Sequence, residues 1–495
     1  MRVFSHLVLS LSKGEVGTAS KGGAGAPYLL FSMNPTMSEV SATPAIDTLA
    51  GFVAAPPRVE SDLALQRAQD ALLDTLGCML LGAGEPVTRR ALEAASVWGA
   101  GAAVVVGTEQ GLPPPFAALV NGASAHALDL DDYDEPANSH PSAVLFPALL
   151  ALLAERERPG AELLDAYVLG LEVIQRLGEA LNMSHYNLGW HSTATLGSLG
   201  AAAACARLQG LDAVRTANAL SLATSMATGY VSQIGSQAKP IQAGLAAKNG
   251  LLAAGLAAAG VTGNAEVLDG PVSLASRMVE PGQADFGPAL ARLGRPWSIE
   301  AHGLAVKAYP SCGYTHRTID GALALRRDHG LTAADIASAE LSLPDFHLAI
   351  LPFRVPETGI QGLFSPAWCA AVAFQRGKVT VEDFAEDALA DPALRDLAAR
   401  IVVSGRVPKD RSRNLDPEDP DRVLVTLRGG QVLETEVPLP LGAAGRPLTA
   451  AQLEAKFFDC ATRRVSHDRA EEIRDAVAAL PKAASLAPLL GLFSC

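Results

Sequence analysis

The stretch LDLDDYDEPANSHPSA, residues 128–143, sets Asp129, Asp131, Asp132, Asp134 and Glu135 ahead of a single His140. Side chains of these types can cradle a divalent cation, run acid–base chemistry, or form a solvated acidic turn. Other histidines stand in polar, glycine-containing contexts: His126, His185, His191 and His316. Histidine titrates near neutral pH, and a nearby carboxylate can fix its tautomer. An acid–base site without metal is therefore the simplest expectation.

The metal alternatives fit less well. A calcium loop of the EF-hand type needs an oxygen ligand at its fifth position and glycine at its sixth. Counted from Asp129, those positions hold Tyr133 and Asp134. Asp131, Asp132 and Glu135 match the D-D-x-x-E box of magnesium-dependent, terpenoid-type enzymes. No second acidic box completes that cluster, and aromatic residues, which wall a carbocation pocket, are only 5% of the chain. The histidines form no i, i+3 or i, i+4 pair, so a helix-borne zinc site is not expected.

Two cations stand in settings suited to anions. Lys239 immediately precedes Pro240, and proline favours the first turn of a helix. KAYPSCGYTHRTIDGA carries Lys307, then Cys312, Tyr314 and His316 around a turn into a helix. Free N–H groups and positive dipole ends at helix starts attract carboxylates. The competing reading makes both lysines ordinary surface residues.

The elements that must position these groups are mostly helical. Ser61 is a plausible cap for a helix whose face is Leu65, Ala68, Leu72, Leu76 and Met79, stopped near Gly82 and Gly84. Helical patterns continue to about residue 300, with no strand alternation. TATLGSLGAAAACARLQG and GLAAKNGLLAAGLAAAG are too rich in alanine and glycine for membrane spans and read as buried, closely packed helices. Strand patterns begin at ASAELSLPDF and ARIVVSGRV. DRVLVTLRGGQVLETEVPL reads as a hairpin around Gly429-Gly430. Thr449 and Gln452 form a capping-box pair that opens the closing helices. The fold class expected is mainly α. Residues 1–40 form a poorly ordered extension and 41–301 a helical domain. Residues 302–443 form a smaller α+β domain, and 444–495 are helices returning to the first.

Bulk properties limit the function. The net charge is −13 over 495 residues, which disfavours nucleic-acid partners but not a small anion bound by a few clustered cations. The six cysteines are scattered with no C-x-x-C pair, so reduced thiols and a cytoplasmic location are expected. No membrane partner is expected.

HALDLDDYDE…SHPSA, GWHSTATLGSLGAAAACARLQGL, SQAKPIQAGLAAKNGLLAAGLAAAGVTG and KAYPSCGYTHRTIDGA together resemble the MmgE/PrpD family, in the right order over residues 45–480. That family includes 2-methylcitrate dehydratase, cis-aconitate decarboxylase and iminodisuccinate epimerase. The resemblance implies a helical domain, an α+β lid, a homodimer and a cofactor-free, metal-free site for a small polycarboxylate. It implies His140, His191 and Asp129 as catalytic residues. It implies Lys239 and Lys307 as substrate-binding residues, and Cys312, Tyr314 and His316 are grouped with them. In the decarboxylase branch a histidine stands at Cys312 and a tyrosine near Trp368. These departures make a dehydratase of 2-methylcitrate-like substrates, as in propionate metabolism, the first expectation. Epimerisation or decarboxylation is the alternative. Asp134 and Glu135 are expected in solvent.

Overall fold

The computed structural model describes residues 43–55, 58–154, 156–181 and 183–493. The expected extension at 1–40 and Cys495 lie outside the described residues. From Thr43 onward the chain is one compact unit with two main apolar cores.

The first core is helical. Ser61 caps the helix Asp62–Gly82, its hydroxyl accepting the Ala64 N–H at 3.2 Å. Ala68, Leu72, Leu76 and Met79 are buried as their spacing predicts, while Leu65 is half-buried. The helix Ala238–Ala258 packs tightly against both Pro114–Ala125 and Ser192–Gln209. Their small residues allow this: a Cβ on Gly244 would lie 2.1 Å from the Leu119 carbonyl oxygen. The helix Ser142–Leu153 carries Pro147 inside it. Asp132 supports its start by accepting the Ser142 N–H at 3.3 Å.

One small sheet escaped the sequence patterns. Strands β1 (Ala103–Val104) and β2 (Gly111–Leu112) pair antiparallel and are too short for alternation to show.

The second core surrounds a four-stranded sheet. Its strands are β3 (Ile336–Pro344), β4 (Ile401–Arg406), β5 (Asp421–Leu427) and β6 (Val432–Val437), in the order β4-β3-β5-β6. β3 runs parallel to β4 and antiparallel to β5, pairing Leu341 with both Val403 and Val423. β5 and β6 form the predicted hairpin. The helices His316–His329 and Pro366–Arg376 supply much of the remainder of this core, and both end on a left-handed glycine, Gly330 and Gly377. The Thr449–Gln452 capping box opens the helix Ala450–Ala461, and His467–Ala479 follows. Phe457, Ile473 and Val477 of these closing helices are buried in the first core.

Among the described residues no helix is long and apolar enough to cross a membrane. Cys78, Cys205, Cys312, Cys369 and Cys460 are buried free thiols.

Candidate active site

The segment joining Pro114–Ala125 to Ser142–Leu153 contains the acidic run, and its turns are held by its own carboxylates. Asp134 accepts the N–H groups of Ala137 and Ser139 at 3.0 Å each, and the Ser139 hydroxyl at 2.5 Å. It is buried, not solvated as expected, because it replaces water as the acceptor for that turn. Glu135 is half-buried, and desolvation raises its carboxyl to about 7 despite Arg317 nearby. Asp129 sits in the left-handed region at φ 51°, which aspartate tolerates better than most residues.

That backbone turn aims Asp129 at both lysines. Its Oδ1 accepts from Lys239 Nζ and Lys307 Nζ, each at 2.7 Å, and its carbonyl accepts from Lys307 at 2.8 Å. Both lysines are buried, which sets aside the surface reading. Lys239 comes from the first turn of Ala238–Ala258 and lies 5.3 Å from the Phe364 ring centre. Burial pushes the Asp129 carboxyl up, but the two lysine charges outweigh it and hold it well below the usual carboxylate range. Its Oδ2 is buried without a hydrogen-bond partner.

His140 stands beside this triad, with Nε2 3.7 Å from Asp129 Oδ1. Its Nδ1 donates to the Asp132 carbonyl at 2.9 Å and lies 3.3 Å from Asp131 Oδ2. A carbonyl only accepts, so Nδ1 carries the proton and Nε2 offers a lone pair. Burial drives the ring's pKa down to about 3, against the pull of Asp131. His191 has the same polarity. Its Nδ1 lies 2.6 Å from Gln242 Oε1, and the Gln242 amide nitrogen donates to the Tyr230 carbonyl at 3.2 Å, which fixes the amide's orientation. Burial and Lys239 lower the His191 pKa well below the ordinary value. Both rings are thus neutral and poised to gain a proton.

Asp129, His140, His191, Lys239, Lys307, Cys312 and Tyr314 line one cavity. Burial pushes the Cys312 thiol up to about 11, so it remains a thiol at neutral pH. His316 does not line this cavity. Its Nε2 faces the Ser311 carbonyl at 3.2 Å, because it opens the helix His316–His329 while Tyr314 turns the other way. His185 is also outside, between Thr195 and the Met278 carbonyl.

Several residues have site roles that the sequence did not assign. Asp131 accepts from Nδ1 of His126 at 2.9 Å and steadies His140. Thr193 accepts the His140 N–H at 3.0 Å. Asn138 and Asn414 line the cavity. Only Gln242 left a signal, lying one helical turn beyond Lys239.

Ligand-type atoms of His126, Asp129, Asp131 and His140 approach within 4.8 Å of one another. Two lysine charges already neutralise Asp129, and Asp131 is taken by two histidines. A divalent cation would have to displace or face those lysines, so this donor set does not fit one.

Two family models match in tandem, the MmgE/PrpD N-terminal domain over residues 47–287 and the MmgE/PrpD C-terminal domain over 309–482. A cis-aconitate decarboxylase of Aspergillus terreus (strain NIH 2624 / FGSC A1156) is 30% identical, covering 88% of this chain and 93% of its own length. The chain belongs to the MmgE/PrpD family. The human cis-aconitate decarboxylase is 29% identical over 83% of this MmgE/PrpD chain and 86% of its own. The cis-aconitate decarboxylase-like protein oryM of Aspergillus oryzae (strain ATCC 42149 / RIB 40) is 29% identical over 89% and 94%. In this MmgE/PrpD member, Trp368 lies outside the cavity, fully buried and donating to the Asp383 carbonyl at 3.0 Å. Of Cys312 and Trp368, the two positions that the resemblance sets apart, only Cys312 faces the cavity.

Proposed function

We propose that this chain is a lyase that decarboxylates a small, cis-aconitate-like tricarboxylate without a bound cofactor. The observation that carries the reading is the convergence of Lys239 and Lys307 beside two neutral histidines in one cavity. The decarboxylase names of the relatives support this alternative over the dehydratase expectation. A homodimer and an α+β part closing over the cavity belong to the same proposal.

In this reading the substrate's carboxylates meet Lys239 and Lys307, with Asp129 balancing the lysines. The C–C bond to one carboxylate breaks and CO₂ departs. The bond's electron pair forms a new C=C, and the old C=C pair shifts to the carbon beside a remaining carboxylate. That carbanion is stabilised by the lysine charges in a water-poor site. A histidine, His140 or His191, protonated as the anionic substrate arrives, delivers its Nε2 proton to that carbon. Dehydration of a 2-methylcitrate-like acid is the second reading, kept by Cys312 in the cavity wall.

Incubation with cis-aconitate in D₂O tests the proposal by NMR. Decarboxylation releases CO₂ and leaves one deuterium on the product carbon. If 2-methylcitrate instead loses water and cis-aconitate is inert, the second reading replaces the first. Exchange with no net loss from either acid would indicate an epimerase.

A further inference from the structure

Part of the cavity wall carries no charge. Asn138, Tyr314 and Asn414 come from three distant segments and close a hydrogen-bonded ring. The Tyr314 hydroxyl donates to Asn414 Oδ1 at 2.6 Å and accepts from Asn138 Nδ2 at 3.1 Å. Asn414 Nδ2 donates to Asn138 Oδ1 at 3.1 Å. All three line the cavity that holds the lysines and histidines.

The ring is rigidly held. His347 stacks on Tyr314 with 3.8 Å between ring centres and 11° between planes, and its Nε2 donates to the Asn414 carbonyl at 2.9 Å. Asn138 occupies the left-handed region at φ 50°, which asparagine, like aspartate, tolerates better than most residues. Side chains held in place by packing and by further hydrogen bonds are what preorganised recognition sites display. Each amide nitrogen has two hydrogens, and the ring uses one of each; Asn138 also hydrogen-bonds Tyr186, which lines the same cavity, so the second Asn414 hydrogen is the one that the ring and Tyr186 leave over.

We propose that Asn138, Tyr314 and Asn414 determine specificity by binding a carboxylate of the substrate that the lysines do not hold. This rests on the proposed function and extends it. Lys239 and Lys307 demand charge. Neutral amide donors, set in place by the Tyr314 hydroxyl, instead read position, and they tolerate an oxygen acceptor without drawing a second anion into the lysine end. A polycarboxylate with separated carboxylates therefore has one orientation in the cavity, which decides which C–C bond faces the histidines.

Calorimetric titration tests this with cis-aconitate and with maleate, glutaconate and itaconate, each one carboxylate shorter. Tyr314→Phe keeps the stack on His347, Asn138→Gly suits the left-handed backbone, and Asn414→Asp sets a negative charge in the ring. Each is expected to weaken cis-aconitate binding by about 10- to 100-fold, the range for lost hydrogen bonds to a charged group. At least one shortened acid, the one lacking the ring-bound carboxylate, should weaken by less than about threefold. Equal weakening of all four acids would make the ring a structural staple and overturn the inference. Unchanged cis-aconitate binding in all three variants would also overturn it. If the wild-type protein bound none of the four acids, the proposed function would fall first and the inference with it.

Discussion

Asp129 Oδ1 holds two lysine nitrogens at 2.7 Å, while His140 Nε2 keeps a lone pair 3.7 Å away. The arrangement is neutral at the histidine and cationic beside it. Burial lowers the His140 pKa to about 3, so the free protein carries no proton there at pH 7. A polycarboxylate bound against the ring adds negative charge and raises that pKa. Binding must then take up protons, and affinity must rise as pH falls. Titration calorimetry at pH 7 in buffers of different ionisation enthalpy should show net uptake with propane-1,2,3-tricarboxylate, which lacks the double bond that the decarboxylation needs, and less uptake in His140→Asn. Zero uptake in the wild-type protein would remove His140 and His191 as the proton source. At this scale the sequence already pointed to the cavity through Asp129, His140, His191, Lys239, Lys307, Cys312 and Tyr314. Asp131 stood in the acidic run without a sign that it would pair with His126 and His140, and Asn414 stayed hidden because its importance is purely spatial. Nothing local marks Asn414 as a neighbour of Asn138, 276 residues away.

The helices that present these residues depend on close approach. Lys239 and Gln242 share one face of Ala238–Ala258, and the same helix meets Pro114–Ala125 through Gly244. A Cβ there would lie 2.1 Å from the Leu119 carbonyl oxygen, a backbone atom that cannot step aside alone. Gly→Ala usually favours a helix by up to about 1 kcal/mol. At Gly244 the clash should win, with a net loss of about 1–3 kcal/mol. Gly255 lies on the same helix, exposed and with nothing within 4 Å of an added Cβ. Gly255→Ala should stabilise by about 0.5–1 kcal/mol. Urea unfolding of the two variants checks the opposite signs; two losses would mean that the helix packing is not what limits Gly244. Long helices and the β5–β6 hairpin were legible because apolar spacing and turn residues repeat along them. The β1–β2 pair was not, since strands of two residues show no period.

Across the whole molecule, burial of ionisable groups ties stability to pH in two opposing directions. Burial lowers His316 to about 3, whereas an unfolded histidine titrates near 6.5. Between those values the unfolded chain binds a proton that the folded chain refuses. Stability from this group is complete above about pH 6.5 and falls as pH drops, by about 1.4 kcal/mol per pH unit. Glu135 works the other way. Burial raises it to about 7, so between its unfolded value of 4.5 and 7 the folded chain keeps a proton that the unfolded chain releases. That contribution grows as pH falls through the window and is lost as pH rises through 7. His316→Gln should therefore make unfolding less acid-sensitive than in the wild-type protein between pH 6.5 and 5. The change in slope should be about 1.4 kcal/mol per pH unit. Glu135→Gln should make it more acid-sensitive over the same range. Urea midpoints of the three proteins at several pH values measure both slopes. Parallel curves for all three would mean that neither group is shifted by the fold. Because each comparison is with the same wild-type curve, contributions from the remaining buried histidines and carboxylates cancel, and the sign of each difference belongs to the substituted group alone.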